Sequence, residues 1–168
     1  MAHNNAQVPN TPKRLSSLAD WSAAHIRAVF EALTTEASTR AIVDTFSPRL
    51  VASLNGTPLD YTGLCGLVNT MRASAPNGLK VEWASAQETV DDPEIRQNGS
   101  LVGEYCIRGI WRSVADSGPE QRCEFERRKK VVVRIESQSP DAAVDSRLIV
   151  KLDILASDVP AEKTRTVL

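Results

Sequence analysis

The sequence has little cysteine, and what it has is not arranged to stabilise a fold or to hold a metal ion. Its three cysteines, Cys65, Cys106 and Cys123, are odd in number and show no CxxC spacing. A disulfide framework and a structural zinc site both require paired or closely spaced thiols. We therefore expect reduced thiols, no metal ion, and a fold stabilised by its hydrophobic core.

An excess of one charge and a long apolar run are also lacking. Twenty Lys and Arg face 21 Asp and Glu, which leaves a net charge of -1 and no global field to attract nucleic acid. No stretch approaches the roughly 18 apolar residues of a membrane span, and residues 1–14 contain no apolar run typical of a signal peptide. We expect a cytoplasmic protein without a nucleic-acid or membrane partner.

The 168 residues fit a single domain with a polar segment at each end. The composition predicts a disordered tail at 1–14, one folded domain at 15–156 and a flexible tail at 157–168. A chain of this length buries enough surface to fold without covalent crosslinks.

Helical patterns occupy the first half of that domain. Apolar residues between Leu15 and Leu33 fall on one stripe of a helix, with Ser16 or Ser17 near its start. A second, shorter pattern ends at Pro48, whose ring removes a hydrogen-bond donor. The chain then reads as a strand over 49–55, a turn at Asn55 and a third helix capped by Asp60.

Strand patterns occupy the second half. The apolar period changes to two in four extended segments, 79–90, 100–114, 120–136 and 144–155. Helices followed by a run of strands predict an α+β fold, with the helices on one face of a mostly antiparallel sheet.

The breaker residues 115–119 set a register for the segments 100–114 and 120–136, and that register divides the sheet into two faces. It predicts the pairs Trp111–Cys123, Arg108–Glu126, Tyr105–Lys129 and Glu104–Lys130. One face is charged and faces solvent. The other is apolar, with Arg127 and Lys129 among its members. The same alternation predicts these further inward residues: Leu79, Val81, Trp83, Ser85, Gln87, Thr89, Leu148, Val150, Leu152 and Ile154.

The order of elements carries a family resemblance over 15–155. The phrase DTFSPRLVASLNG between the second helix and first strand, the closing strand RLIVKLDIL, and Gly109 inside a long strand resemble the NTF2-like superfamily, especially its SnoaL-like members. The resemblance implies a cone made of three N-terminal helices packed on a curved sheet. It also implies a homodimer formed through the sheet and a small hydrophobic ligand in the open mouth.

The resemblance also implies a range of activities. Similar proteins isomerise ketosteroids, cyclise polyketides in secondary metabolism, dehydrate substrates or open epoxides, and others have no catalytic activity. The catalytic members use Asp, Tyr or His as cofactor-free acids and bases. The position that often holds an acid in isomerase-like members corresponds to Lys129, and Asn55 lies near a first-strand acid or its partner. Asp153 aligns loosely with an epoxide-opening Asp but faces outward.

Three residues are the candidate catalytic groups. An inward Lys129 is a base, a Schiff-base nucleophile or a cation for a ligand carboxylate or enolate. The alternative is a bulge that turns the RRKK run to solvent. Tyr105, opposite Lys129, is either an acid or a core tyrosine, and His25 is the only histidine inside the predicted domain.

A second group of residues is predicted to line the pocket, although core packing is an alternative for each aromatic side chain. These residues are Trp21, Asn55, Tyr61, Trp83, Trp111 and Arg127. The sequence thus favours a cofactor-free isomerase, cyclase or dehydratase acting on a hydrophobic or ring-containing metabolite. A non-catalytic ligand-binding or protein-interaction module of the same fold is the alternative.

Overall fold

The computed structural model describes residues 14–114 and 121–161, which form three helices and six strands. Most of the two predicted tails and the turn at 115–119 lie outside the described residues. The elements, in chain order, are α1 (Leu18–Phe30), α2 (Thr35–Thr45), β1 (Phe46–Leu54), β2 (Thr57–Leu59), α3 (Tyr61–Ala73), β3 (Lys80–Val90), β4 (Gly99–Ser113), β5 (Arg122–Ser137) and β6 (Arg147–Pro160).

The strands form one sheet in the order β2-β1-β6-β5-β4-β3. Every pairing in it is antiparallel except β1 with β6, which is parallel. The helices pack on this sheet and bury a single core, to which α1, β4, β5 and β6 contribute most of the large side chains. The predicted α+β class is therefore confirmed. No helix in the described part of the chain is long and apolar enough to cross a membrane.

Side-chain caps fix the starts of the helices as the sequence indicated. Ser17 accepts a hydrogen bond from the Asp20 amide at 3.0 Å, and Asp60 accepts one from the Gly63 amide at 2.7 Å. Such caps pair backbone donors that a helix leaves unsatisfied in its first turn. The second helix ends at Thr45, earlier than Pro48 required, because the chain enters β1 directly at Phe46.

The short strand β2 was missed. Asn55 and Gly56 both have positive φ, 50° and 80°, and form the tight turn that folds Thr57–Leu59 back onto β1. Type I′ hairpin turns require positive φ at both central positions, for which Asn-Gly is the preferred pair. The sequence did not predict β2 because it contains Pro58, and a proline argues against a central strand. Proline is tolerated in edge strands, and β2 lies at the edge of the sheet.

The predicted register of β4 against β5 is correct on one side of Gly109 and wrong by one residue on the other. Tyr105 pairs with Lys129 as predicted, but Trp111 pairs with Glu124 instead of Cys123. Gly109 adopts φ +97°, and a Cβ there would lie 2.5 Å from the Gly78 carbonyl oxygen. This bulge exchanges the faces beyond it, so that Ile110 is fully buried and Trp111 is not.

Two more irregularities overturn predicted faces. A shift between Trp83 and Ser85 on β3 exposes Ser85, Gln87 and Thr89, which were predicted to face inward. It also brings Glu88 to the α1 terminus, where its carboxylate accepts the Leu18 amide hydrogen at 2.8 Å.

On β6 a further shift buries Ile149 in place of Leu148 and Val150, whereas Leu152 and Ile154 are buried as predicted. The same strand runs on to Pro160 and pairs with β5 along its whole length. Residues 157–160, predicted as tail, are therefore part of the sheet.

Candidate functional site

A small cavity lies between the helices and the inner face of the sheet. Its volume is about 20 Å³, which is room for about one water molecule. The residues around it are mostly apolar and come from every layer of the fold: Ser22, Ile26, Phe30, Phe46, Leu64, Trp83, Tyr105, Lys129, Val131, Val133, Ile149, Leu152 and Ile154. No Asp, Glu or His is among these described lining residues.

Lys129 is the one ionisable amine on this inner surface, and it is 5% exposed. Its Nζ lies 4.9 Å from the centroid of the Phe30 ring and 5.7 Å from that of Tyr105. It forms no hydrogen bond or salt bridge with any residue in 14–114 or 121–161. The ring faces attract the ammonium form, but they do not replace the water that burial removed.

Burial lowers the pKa of Lys129 to about 7, chiefly because the charged form loses its hydration. The positive charge of Arg127 lowers that pKa further, and the negative charge of Asp158 partly opposes the change. Burial therefore favours the neutral, nucleophilic form of this amine near neutral pH, relative to an ordinary lysine. Lys129 faces inward as predicted, because no bulge interrupts the alternation of β5 at this residue.

Arg127 does not line the cavity. Its guanidinium instead donates two hydrogen bonds to the Asp158 carboxylate, at 2.8 and 3.0 Å, and Arg112 pairs with the same carboxylate. These interactions hold the pKa of Asp158 below its usual range. Asp158 falls in the predicted flexible tail, so the sequence did not reveal its part in orienting Arg127, which lies two residues before Lys129 on the same strand.

Three polar side chains share the cavity with Lys129. Tyr105 packs its ring 4.6 Å from that of Trp83, and burial raises the pKa of its phenol, so it stays protonated at any ordinary pH. The Trp83 Nε1 and the Ser22 Oγ are buried without a hydrogen-bond partner among the described residues. A buried donor without a partner costs free energy of folding. A ligand atom that accepts a hydrogen bond from such a donor therefore gains more binding free energy than it would elsewhere.

The position of Ser22 was not recognised from the sequence, although the signal was present. Ser22 lies four residues after Leu18 and four before Ile26, both of which belong to the apolar stripe of α1. A polar residue at that spacing faces the core.

His25 and Trp21 lie away from the cavity, contrary to expectation. Their rings stack at 4.2 Å, and His25 Nδ1 is 3.1 Å from the Thr45 hydroxyl. The Arg147 guanidinium lies 5.6 Å from the Trp21 ring and also binds the Ser16 carbonyl oxygen at 2.7 Å. Burial lowers the pKa of His25. This cluster anchors the start of α1 to β6.

The remaining predicted lining residues are also elsewhere. Asn55 uses its side chain to bond the backbone of Ala156 at 3.0 and 2.8 Å, which extends the sheet past the β1 turn. Tyr61 is half-buried at the start of α3, and Trp111 lies on the opposite face beyond the Gly109 bulge. Of the nine predicted residues, the structure brings Lys129, Tyr105 and Trp83 together.

A larger concavity lies on the other face of the sheet, with a volume of about 650 Å³. Several of its side chains are charged and already paired, as in Arg108–Glu126 at 3.4 Å and Lys130–Glu104 at 3.5 Å. This outer groove is open to solvent, and its charged side chains other than the largely buried Glu126 are well hydrated. The inner cavity is therefore the candidate site. In the described part of the chain, no group of three His, Cys, Asp or Glu could hold a metal ion.

Comparison with known proteins identifies the fold. No protein-family model and no curated protein sequence matches this chain. Among solved structures, IdmH, a putative polyketide cyclase from Streptomyces antibioticus, matches with a TM-score of 0.54 at 17% identity, over 80% of this chain and 91% of that chain. An NTF2-like protein of unknown function from Prochlorococcus marinus matches with a TM-score of 0.51 at 9% identity, over 91% and 100%.

A third similar structure is a hexachlorocyclohexane dehydrochlorinase, LinA-type3, from Novosphingobium barchaimii LL02. It has a TM-score of 0.54 at 10% identity and covers 88% of this chain and 95% of that chain. The chain therefore has the NTF2-like fold that its element order predicted. At these identities the likeness extends to the fold and not to the chemistry.

Proposed function

We propose that this protein is a cone-shaped small-molecule pocket protein that transfers a proton to or from a hydrophobic or ring-containing ligand without a cofactor. The observation that carries the proposal is Lys129, which is 5% exposed, borders the apolar cavity and forms no side-chain hydrogen bond or ion pair with the described residues. A general base works best when its pKa lies near the working pH, as the pKa of about 7 for Lys129 does. The apolar lining suits a hydrophobic substrate.

Lys129 is the base in this account, and Tyr105 is an uncharged donor to a ligand oxygen. Tyr105 lies directly opposite Lys129 in the sheet and borders the same cavity. Base-catalysed isomerisation, aldol-type cyclisation and β-elimination of water all begin with removal of a proton from carbon, which one desolvated amine performs. IdmH is a putative polyketide cyclase and LinA-type3 is a dehydrochlorinase, and both support the proposal by analogy of fold only.

The Kemp elimination of 5-nitrobenzisoxazole tests this role with a ring-containing probe that has no carbonyl group. A base removes its ring proton, the N–O bond breaks, and a coloured cyanophenolate forms. We expect catalysis whose kcat/KM rises with pH with a midpoint near 7, since the neutral amine is the active form. Lys129→Met should lower kcat/KM by about 100-fold, as loss of a general base does.

Two further variants make the assay decisive. Lys130→Met removes the adjacent, exposed lysine on the opposite face and should leave kcat/KM unchanged. Leu64→Ala enlarges the cavity and tests whether its small volume limits entry. Failure of both the wild-type protein and Leu64→Ala to accelerate the reaction, or equal activity of Lys129→Met, contradicts the proposal.

The alternative function is non-catalytic ligand binding. It is favoured by one observation, that no carboxylate or imidazole stands beside Lys129 among the described lining residues. Saturable binding of 5-nitrobenzisoxazole that perturbs the Trp83 indole signal, without turnover, would support this alternative.

We also propose that the outer sheet face is the contact surface of a homodimer. Val102 and Val132 are directly paired there and exposed, and Leu155 extends this apolar strip onto β6. Charged residues, including Glu104 and Asp153, border the strip and offer carboxylates to basic side chains of a second copy.

A further inference from the structure

The inner cavity contains more hydrogen-bond donors than acceptors. The indole N–H of Trp83 donates only, and neither it nor the Ser22 hydroxyl has a partner among the described residues. Ser22 is 1% exposed and borders the cavity together with Trp83 and Lys129. A ligand that satisfies these groups therefore presents an oxygen that accepts hydrogen bonds.

An uncharged oxygen suits this cavity better than an anionic one. The lining residues in the described part of the chain include no arginine, and burial disfavours the charged form of Lys129, their one ionisable amine. An anionic ligand would lose its hydration here without a fixed counter-ion, which is costly. A carbonyl oxygen accepts hydrogen bonds and carries no net charge, and its carbon is an electrophile that a neutral amine attacks.

We propose that the ligand of this cavity is an aldehyde or ketone and that Lys129 Nζ forms a reversible imine with its carbonyl carbon. The inference rests on the proposed function, since both require the cavity, whose volume of about 20 Å³ holds about one water molecule, to widen around a small hydrophobic molecule. It goes beyond that function because a base only moves a proton, whereas an imine is a covalent bond between ligand and protein.

The step balances without an added reagent. The Nζ lone pair forms a C–N bond while the carbonyl π electrons move to oxygen, and one amine proton then passes to that oxygen. The nitrogen lone pair expels the hydroxyl group, which leaves with the second amine proton as water. The product is a C=N bond to Lys129 and one water molecule, and hydrolysis reverses the sequence.

Benzaldehyde and benzyl alcohol form a matched pair of probes, because they share a ring and differ in the carbonyl group. The wild-type protein is incubated with benzaldehyde and cyanoborohydride at pH 7, which reduces an imine to a stable amine, and the labelled lysines are identified by peptide mass. Lys129 should be labelled at least about tenfold faster than Lys130, since an ordinary lysine is almost wholly protonated at this pH.

Variants identify the reacting amine. Lys129→Met and Lys129→Arg should abolish the fast labelling, and Lys130→Met should retain it. Circular dichroism checks that each variant is folded. The Leu64→Ala variant, with a larger cavity, should be labelled at Lys129 at least as fast as the wild-type protein.

The paired probe separates the two proposals. Binding of benzyl alcohol is followed through the indole N–H signal of Trp83. If the alcohol binds but benzaldehyde labels Lys129 no faster than Lys130, the imine is refuted while the small-molecule pocket stands. If neither probe binds to the wild-type protein or to Leu64→Ala, both proposals are refuted.

Discussion

Lys129 is the residue on which the functional account depends, because its burial has a measurable cost. Its neighbours supply aromatic rings at 4.9 and 5.7 Å but no described carboxylate in direct contact. A shift of the Lys129 pKa from 10.5 to about 7 corresponds to at most about 5 kcal/mol of lost stability when the amine is protonated. Retaining such a group is expected at a functional site and is hard to explain as packing.

This cost predicts a pH dependence of folding. Between about pH 7 and 10.5 the unfolded chain binds the Lys129 proton and the folded protein does not, so the free energy of unfolding rises with pH through this window. Lys129→Met removes that contribution. The variant should be more stable than the wild-type protein at pH 6, by up to several kcal/mol, and the advantage should shrink as the pH approaches 10.5.

Urea unfolding at pH 6, 8 and 10 measures the difference. Lys130→Met is the control, since the Lys130 side chain is 71% exposed and pairs with Glu104 at the surface. A difference between Lys129→Met and the wild-type protein that stays constant across this range would contradict the lowered pKa.

The sequence was informative about single residues where the strand alternation was uninterrupted. It placed Tyr105, Lys129 and Trp83 on the inner face because the register between Gly99 and Ile107 contains no irregularity on β4. It wrongly predicted His25 and Trp21 at the pocket. The apolar stripe of a helix shows which side faces the core, but not which part of the core the residues at the edge of that stripe contact. The buried Arg147 that holds this margin is distant in sequence and carried no local signal.

At the scale of elements, bulges account for most of the differences between prediction and structure. The caps of α1 and α3 and the Asn55-Gly56 turn follow from local chemistry and were predicted. The shifts at Gly109, between Trp83 and Ser85, and on β6 were not, because a bulge has no consistent residue signature and one extra residue inverts every later side chain.

The bulge at Gly109 leads to a prediction about strand β4. Gly109→Ala places a Cβ 2.5 Å from the Gly78 carbonyl oxygen at a φ of +97°, so it should lower the free energy of unfolding by about 2 kcal/mol or more. Gly66→Ala is the matched control, because Gly66 lies within α3 with open space around its Cβ position. It should instead stabilise the protein, by about 0.5–1 kcal/mol.

Chemical denaturation of both variants gives the comparison. Equal effects of the two substitutions would show that Gly109 does not need its unusual backbone conformation.

At the scale of the whole molecule, the fold was predictable because element order and apolar period determine an α+β sheet with helices on one face. The outer sheet face is the proposed contact surface of a homodimer, and its apolar strip leads to a prediction about assembly. Val132→Asp places a carboxylate in the proposed contact of each copy and should weaken self-association at least about tenfold.

Sedimentation velocity over a concentration series measures this effect. Val43→Asp is the control, because Val43 is similarly exposed but lies on α2. A wild-type protein that remains monomeric at high concentration, or a Val43→Asp variant that dissociates as readily as Val132→Asp, would exclude the outer face as the dimer contact.

The central claim is that one lysine of this chain is an unpaired amine inside an apolar cavity. Its most direct test is an NMR titration of the lysine side-chain Cε and Nζ signals. The account predicts one signal that titrates near pH 7 in the wild-type protein and is absent from Lys129→Met. If every lysine signal titrates above about pH 9.5, near the ordinary lysine value, Lys129 is hydrated or paired in solution and the proposed site is wrong.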